Sequence, residues 1–245
     1  MYNKNDLLTH LEQLKIDKNG TLLVHSSMKS IGQVEGGADT VLDALSEYMK
    51  DGLLVFPTHT WSYINANNPK FSVNESPSMV GILTELFRKR PGVVRSWHPT
   101  HSVGALGKGA EDFVKGNEQF DTPCARGSSW GKLFDYKATI LLIGVDLRRC
   151  TYIHSVEEWL DIPDRLTDEH EQLYTIAPDG TEIPVPQRRH INHTSEKYGR
   201  VEDLFLENEA MYIGKFGDAE VRVCDTVKMT ELLIPLLQEK PDLFS

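Results

Sequence analysis

Residues 21–57 read TLLVHSSMKSIGQVEGGADTVLDALSEYMKDGLLVFP, and the order of patterns in this stretch decides the fold class. Thr21 to His25 is an apolar run of strand length, followed by a loop rich in Ser and Gly from Ser26 to Gly37. Val41, Leu42, Leu45 and Tyr48 then fall on one face at helical spacing, and Leu53 to Pro57 is a second apolar run. Strand, loop, helix and strand in this order make the repeating unit of a parallel sheet, so the stretch predicts an α/β architecture.

The same reading extends in both directions. Leu7, Leu8, Leu11 and Leu14 predict an opening amphipathic helix, closed by a turn at Lys18-Asn19-Gly20. Thr58 to Pro77, rich in Asn, Pro, Ser and aromatics, reads as a long loop, a kind of segment that often carries function. Gly81 to Arg90 reads as a helix stopped by Pro91-Gly92, Ser102 to Leu106 and Thr139 to Gly144 as strands, and Tyr152 to Leu160 as a helix ended by Pro163. Beyond Gln172 the pattern turns to short strands at 172–176, 182–185, 212–216 and 221–224, then a closing helix after Thr226. With no repeat or linker visible, residues 1–245 are read as one α/β domain with a β-rich C-terminal elaboration.

Composition narrows the function. The chain carries 36 acidic and 26 basic side chains, a formal charge of −10. A nucleic-acid binder needs a basic footprint, so that class is excluded, and a cationic small-molecule partner suits the charge. Cys124, Cys150 and Cys224 are too few and too scattered for a disulfide framework or a zinc ribbon. Neither a signal-like apolar core nor a membrane-length apolar run is present, so the expectation is a cytoplasmic protein that does not enter a membrane, acting as a monomer or homodimer.

Three segments could carry chemistry. The strand end His25-Ser26-Ser27-Met28-Lys29-Ser30-Ile31-Gly32 offers hydroxyls and amides ahead of a helix start, which suits an anionic ligand, although an ordinary β-α turn has the same composition. In Arg95-Ser96-Trp97-His98-Pro99-Thr100-His101-Ser102 two histidines stand three apart, as do His190 and His193. Pro99 disfavours a helical ligand pair, and no further ligand motif accompanies either set, so no metal site is expected. On the helix predicted over 152–160, His154 and Glu157 share a face, where a carboxylate can orient an imidazole as a general base. The acidic stretch from Glu157 to Glu171, opposed only by Arg165, reads as a solvated face that could also line a pocket for a cationic substrate.

Taken in order, VHSSMKSIG, GGADTVLDAL, GLLVFPTHT, PGVVRSWHPTHSVGALG, GSSWGKL, TILLIGV, TYIHSVEE and YIGKFGDAEVRV resemble the aminoglycoside N3-acetyltransferases, or antibiotic N-acetyltransferases. The resemblance implies an α/β fold with a central mixed sheet flanked by helices, distinct from the Gcn5-related acetyltransferases. It implies transfer of an acetyl group from acetyl-coenzyme A to an amine, commonly the 3-amino group of a 2-deoxystreptamine ring, with no metal. It places the coenzyme on Ser26, Ser27, Lys29, Ser30, Ile31 and Gly32, and on Ser102 and Val103. It places catalysis on His154 and Glu157, with Thr151 or amides near Ser102 as donors to the thioester oxygen. Cys150, where the family often has Asn, the Ser129-Trp130 pair, and the aromatic loop holding Trp61, Tyr63 and Phe71 depart from the family pattern and bear on the acceptor.

Other readings differ in what they require. Gln33 to Ala38 matches the QxxGxA pattern of Gcn5-related enzymes, but a loop separates it from its strand. A metal-dependent hydrolase would use His98, His101 and His154. A coenzyme-binding module would need no base, and a biosynthetic acetyltransferase would act on an amine other than an antibiotic.

Overall fold

Apolar residues on the central strands alternate between two faces, and each face is covered by helices. The computed structural model describes all 245 residues. In chain order the elements begin with α1 (Lys4–Gln13), β1 (Thr21–Ser26), α2 (Ala38–Tyr48), β2 (Leu53–Pro57), β3 (Lys70–Ser72), α3 (Ile82–Phe87) and β4 (Val94–Arg95). They continue with β5 (Val103–Gly107), α4 (Ala110–Val114), α5 (Ser129–Asp135), β6 (Thr139–Ile143) and α6 (Tyr152–Trp159). The last are β7 (Glu171–Ile176), β8 (Glu182–Gln187), α7 (Glu202–Glu207), β9 (Met211–Phe216), β10 (Ala219–Asp225) and α8 (Thr226–Glu239).

Seven strands form one mixed sheet in the order β4-β5-β2-β1-β6-β10-β9. Its centre, β2-β1-β6, is parallel, and both flanks are antiparallel. Leu22, Val24, Leu54, Phe56, Leu141 and Ile143 face α1, α2 and α3. Leu23, Val55, Ile140 and Leu142 face the opposite layer, with Trp130 of α5, Tyr152 of α6 and Leu233 of α8. Each fully buried side chain of this size contributes roughly 1.5–3 kcal/mol, so the strand runs recognised in the sequence are also the core. Two helix starts are capped by side chains: Asn3 accepts from Asn5 and Asp6 in a capping box, and Asp225 accepts from Val227 and Lys228.

The predicted strands and longer helices appear within a residue or two of their expected limits, and the β-rich tail divides in two. β10 and β9 extend the central sheet beside β6, whereas β7 and β8 form a second, three-stranded sheet with β3. β3 interrupts the segment read as loop from Thr58 to Pro77. Three residues are too few to show a period, and its partner β7 lies a hundred residues downstream (Phe71 pairs with Thr175). The short helices α4, α5 and α7 have no sequence-level prediction, for the same reason of length. No helix is long and apolar enough to cross a membrane.

This topology opens a crevice. β1 leads into α2 on one face, while β6 leads into α6 on the other, so the loops leaving two neighbouring parallel strands part at their carboxyl ends. The gap is held by backbone contacts: the Ser27 amide donates to the Ile143 carbonyl at 2.8 Å. Gly144 sits at φ +62°, where a Cβ would lie 2.2 Å from that of Ser30. Only a residue without Cβ fits both the backbone and the space. Gly144→Ala should therefore cost about 2–4 kcal/mol and loosen the loop after β1. Urea unfolding would register this as a lower midpoint with the slope unchanged.

Candidate active site

The crevice widens into a cavity of ≈ 770 Å³ at the carboxyl ends of β1, β2 and β6. Ser26, Thr151 and His154 line it, together with four residues contributed by distant loops: His59, His101, Arg189 and His190. His154 lies in the first turn of α6, which begins after a 3-10 turn at Leu147–Arg149. The helix projects His154 toward the cavity and Glu157, one turn on, into the protein.

Glu157 is fully buried and has four partners. Its Oε2 accepts from Tyr198 through a very short contact, from Thr194 at 3.4 Å, and from His154 Nδ1 at 3.2 Å. Its Oε1 accepts from Arg165 Nε. Burial alone would raise this carboxyl, but the hydrogen bonds from His154 and Tyr198 and the Arg165 charge outweigh it and hold it below its ordinary range. The carboxylate is thus an anion at neutral pH. Tyr198 Oη also lies 2.6 Å from His154 Nδ1. With Nδ1 engaged by both groups, Nε2 is the nitrogen left for a substrate. Burial, assisted by His190, lowers His154 to about 4, so the imidazole rests neutral, ready to accept a proton.

Other imidazoles continue from this one. His190 stacks on His154 at 4.0 Å between centroids and 15° between planes. His101 lies 5.3 Å from His190, and His59 lies 4.6 Å from His101. Trp130 separates His59 from His25, and its indole donates to the His101 carbonyl at 2.9 Å. His25 and His59 each leave a buried Nε2 without a partner in the protein.

The coenzyme candidates distribute unevenly. Ser26 lines the cavity. Ser27 and Ser30 bond to one another at 3.0 Å, and Lys29 is exposed. Ile31 is a core side chain whose carbonyl accepts from the Asp218 amide, and Gly32 at φ +87° packs where a Cβ would meet the Asp218 carboxylate. Ser102 is buried beneath the cavity wall, where its Oγ meets Thr58 Oγ1 at 2.8 Å and Arg95 Nε at 3.2 Å. The Val103 amide donates to Ser96 Oγ at 2.9 Å. Arg95 itself is nearly enclosed, bonds five backbone and hydroxyl groups around it, and lies over Phe71; burial lowers it to about 9.

The remaining expectations resolve as follows. His98 cannot serve as a metal ligand, because Nδ1 accepts the amides of Thr100 and His101 and Nε2 faces the Thr122 carbonyl. The acidic stretch after His154 splits: Glu157 and Glu158 turn inward, while Asp161, Asp164, Asp168 and Glu169 are exposed. None of them lines the cavity, which holds Arg148, Arg149 and Arg189 and no carboxylate. Trp61 lines the cavity, whereas Tyr63 bonds the Pro77 carbonyl and Phe71 is core. Sequence reasoning missed Tyr198, His59 and Arg149, and singled out Trp130 only as a departure from the family pattern. Arg165 had one visible sign, as the lone cation in an acidic run.

Six histidines give this region a pH signature. Burial lowers His25 to about 3 and His98, His154 and His190 to about 4, with His59 and His101 well below 6.5. An unfolded chain takes up protons on these rings near pH 6.5 and the folded chain does not. Their contribution to stability is full above that pH and lost as the pH falls toward 4. Glu158, raised by burial to about 7, acts oppositely between 4.5 and 7, but it is one group against six. Each fully linked ring adds about 1.4 kcal/mol per pH unit. Melting temperature should therefore fall steeply between pH 6.5 and 4.5, and His59→Gln or His101→Gln should flatten the slope relative to the parent.

Comparison with known proteins identifies the family and the fold. The family profile described as aminoglycoside 3-N-acetyltransferase matches residues 23–238. The SPbeta prophage-derived aminoglycoside N(3')-acetyltransferase-like protein YokD of Bacillus subtilis (strain 168) is 28% identical, over 90% of this chain and 86% of its own length. Aminoglycoside N(3)-acetyltransferase VII of Streptomyces paromomycinus is also 28% identical, over 72% of this chain and 67% of its own. The solved structure of AAC-IIIb as a binary complex with CoASH superposes with a TM-score of 0.86 at 21% identity, covering 98% of this chain and 97% of that one.

Proposed function

The chain belongs to the aminoglycoside 3-N-acetyltransferase family and is an acyltransferase that uses acetyl-coenzyme A; we propose that it acetylates the 3-amino group of a 2-deoxystreptamine aminoglycoside, with His154 as the general base. The observation that carries this reading is the His154–Glu157–Tyr198 cluster, whose one unengaged imidazole nitrogen belongs to a side chain on the cavity wall.

The residues fit an elongated, anionic thioester. The cavity of ≈ 770 Å³ offers room for it, Ser26 lies at the end of β1, and Arg148 and Arg149, paired here with Asp146 and Glu196, would turn to its phosphates. The thioester supplies an activated acetyl group. His154 takes the proton as the amine nitrogen bonds to the acetyl carbon, and returns it to the departing sulfur. Glu157 remains ionised and stabilises the imidazolium that forms, while Tyr198 fixes the ring orientation. Thr151, beside His154 on the cavity wall, is placed to donate to the thioester oxygen. Strands from both ends of the chain share the central sheet, which supports treating residues 1–245 as one cooperative unit. A cytoplasmic location and a monomer or homodimer accord with this role.

A second reading concerns the acceptor alone. A cavity with three arginines and no lining carboxylate does not need a polycation, so a less charged amine from biosynthesis would also fit. Coenzyme release measured against aminoglycosides and simpler amines decides between the two. With any accepted amine, His154→Ala should lower kcat about 10²–10⁴-fold and leave acetyl-coenzyme A binding within a few-fold. Unchanged turnover would remove His154 from the mechanism. Tyr198→Phe should cost less, because Glu157 still orients the ring.

A further inference from the structure

Behind the catalytic pair lies a second constellation that acetyl transfer does not use. Cys124 comes from the loop before α5, Glu158 from α6 and His190 from the segment after β8. The Cys124 sulfur, a Glu158 carboxylate oxygen and a His190 ring nitrogen all lie within 4.8 Å of one another, the one such group of three His, Cys, Asp or Glu side chains in the molecule. Glu158 is 4% exposed at its side chain. Its Oε1 accepts from the Cys124 amide at 2.9 Å and faces His190 Nε2 at 2.7 Å, while its Oε2 is buried without a partner. A buried carboxylate oxygen left unpaired is a position in need of a cation or donor.

We propose that Cys124, Glu158 and His190 bind a zinc ion that inhibits the transferase. Thiolate, carboxylate and imidazole form a mixed S, O, N donor set, which suits zinc rather than magnesium or calcium. In a tetrahedral site the ligand atoms stand about 3.5 Å apart, so the Cys124 sulfur would move in by roughly an ångström while the Glu158–His190 pair, at 2.7 Å, opens. Pro123 and His190 both line the cavity, so the three groups lie against its wall, with Cys124 and the Glu158 side chain buried just behind it. On binding, the Cys124 proton and the proton held between Glu158 Oε1 and His190 Nε2 both pass to solvent, and His190 presents the Nε2 lone pair with a proton on Nδ1. The anionic charge of Cys124 and Glu158, opposed by burial in the empty site, is then balanced by the ion.

The ion would not touch His154, but it would act on it through the stacked ring of His190 at 4.0 Å. A dication coordinated to that ring disfavours a positive charge on its neighbour, which is the charge His154 must gain during transfer. Zinc should therefore lower kcat more than it raises KM for acetyl-coenzyme A. This distinguishes the site from a hydrolytic metal centre, where removing the ion would abolish activity.

Cobalt(II) titration of metal-free full-length protein, without coenzyme, tests the site independently of acetyl transfer. One equivalent should bind, with a thiolate-to-cobalt charge-transfer band in the near ultraviolet, and zinc chloride should displace it. Cys124→Ser should lose that band and bind at least tenfold more weakly. Glu158→Gln should also bind at least tenfold more weakly while keeping the band, and it carries the test if circular dichroism shows that Cys124→Ser does not fold. His154→Ala should bind as the parent does. Absence of binding, a band that survives in folded Cys124→Ser, or loss of binding in His154→Ala would overturn the proposal. Where an acceptor is accepted, acetylated product followed by mass should show zinc lowering kcat; full turnover with the site occupied would refute the inhibitory role.

Discussion

The carboxylate of Glu157 is the constraint around which the C-terminal half of the molecule is arranged. An anion this deeply buried is tolerated only if its lone pairs are filled, and no single element can fill them. α6 contributes His154, the segment after it contributes Arg165, and the 3-10 helix at Thr194–Val201 contributes Thr194 and Tyr198. Arg165 then reaches on to the Pro241 carbonyl and the Ser245 hydroxyl, which ties the chain end into the same cluster. Removing any one partner would leave charge without compensation in a low-dielectric setting. The site is therefore also a structural joint, and its geometry is enforced by the cost of breaking it.

Around that joint the sheet does a different task. Its parallel centre delivers the carboxyl ends of β1, β2 and β6 to one edge, and the parting of the loops after β1 and β6 leaves room there. One side of that room is a row of imidazoles, packed edge and face from His154 to His25 with Trp130 behind them. Burial keeps these rings neutral, so the cavity has hydrogen-bonding atoms without carrying their charge. A neutral base beside a permanent carboxylate is a workable pairing for moving one proton out and back.

What could be read from the chain follows from the range of the forces involved. β1, β2 and β6 are runs of adjacent apolar residues, and α6 repeats within eight residues, so local pattern suffices for both. The His154–Glu157 pair is legible for the same reason, since helix spacing alone puts the two on one face. Tyr198 is 41 residues from Glu157, and nothing in its neighbourhood distinguishes it from a surface tyrosine. The same holds for β3, whose strand character comes from β7, and for His59, whose burial depends on His101 and Trp130. Ile31 shows the opposite failure: it sits inside a ligand-like motif, yet its side chain belongs to the core. Motif membership selects a segment, and packing decides which of its atoms face outward.

Charge separates in the same way. The chain as a whole carries −10, and the acidic residues after His154 suggested a negatively lined pocket. Instead Glu157 and Glu158 are drawn inward to pair with Arg165, His154 and His190, and Asp161, Asp164, Asp168 and Glu169 face solvent. The cavity wall keeps only arginines as charged groups. Under the proposed function, an anionic coenzyme would draw these arginines away from Asp146, Glu171 and Glu196 as it docks. The net charge therefore describes the exterior, whereas the crevice holds arginines whose partner carboxylates are set back from it. A cationic acceptor, by contrast, gains from the exterior field during approach and must find its specific partners among neutral histidines and backbone carbonyls once inside.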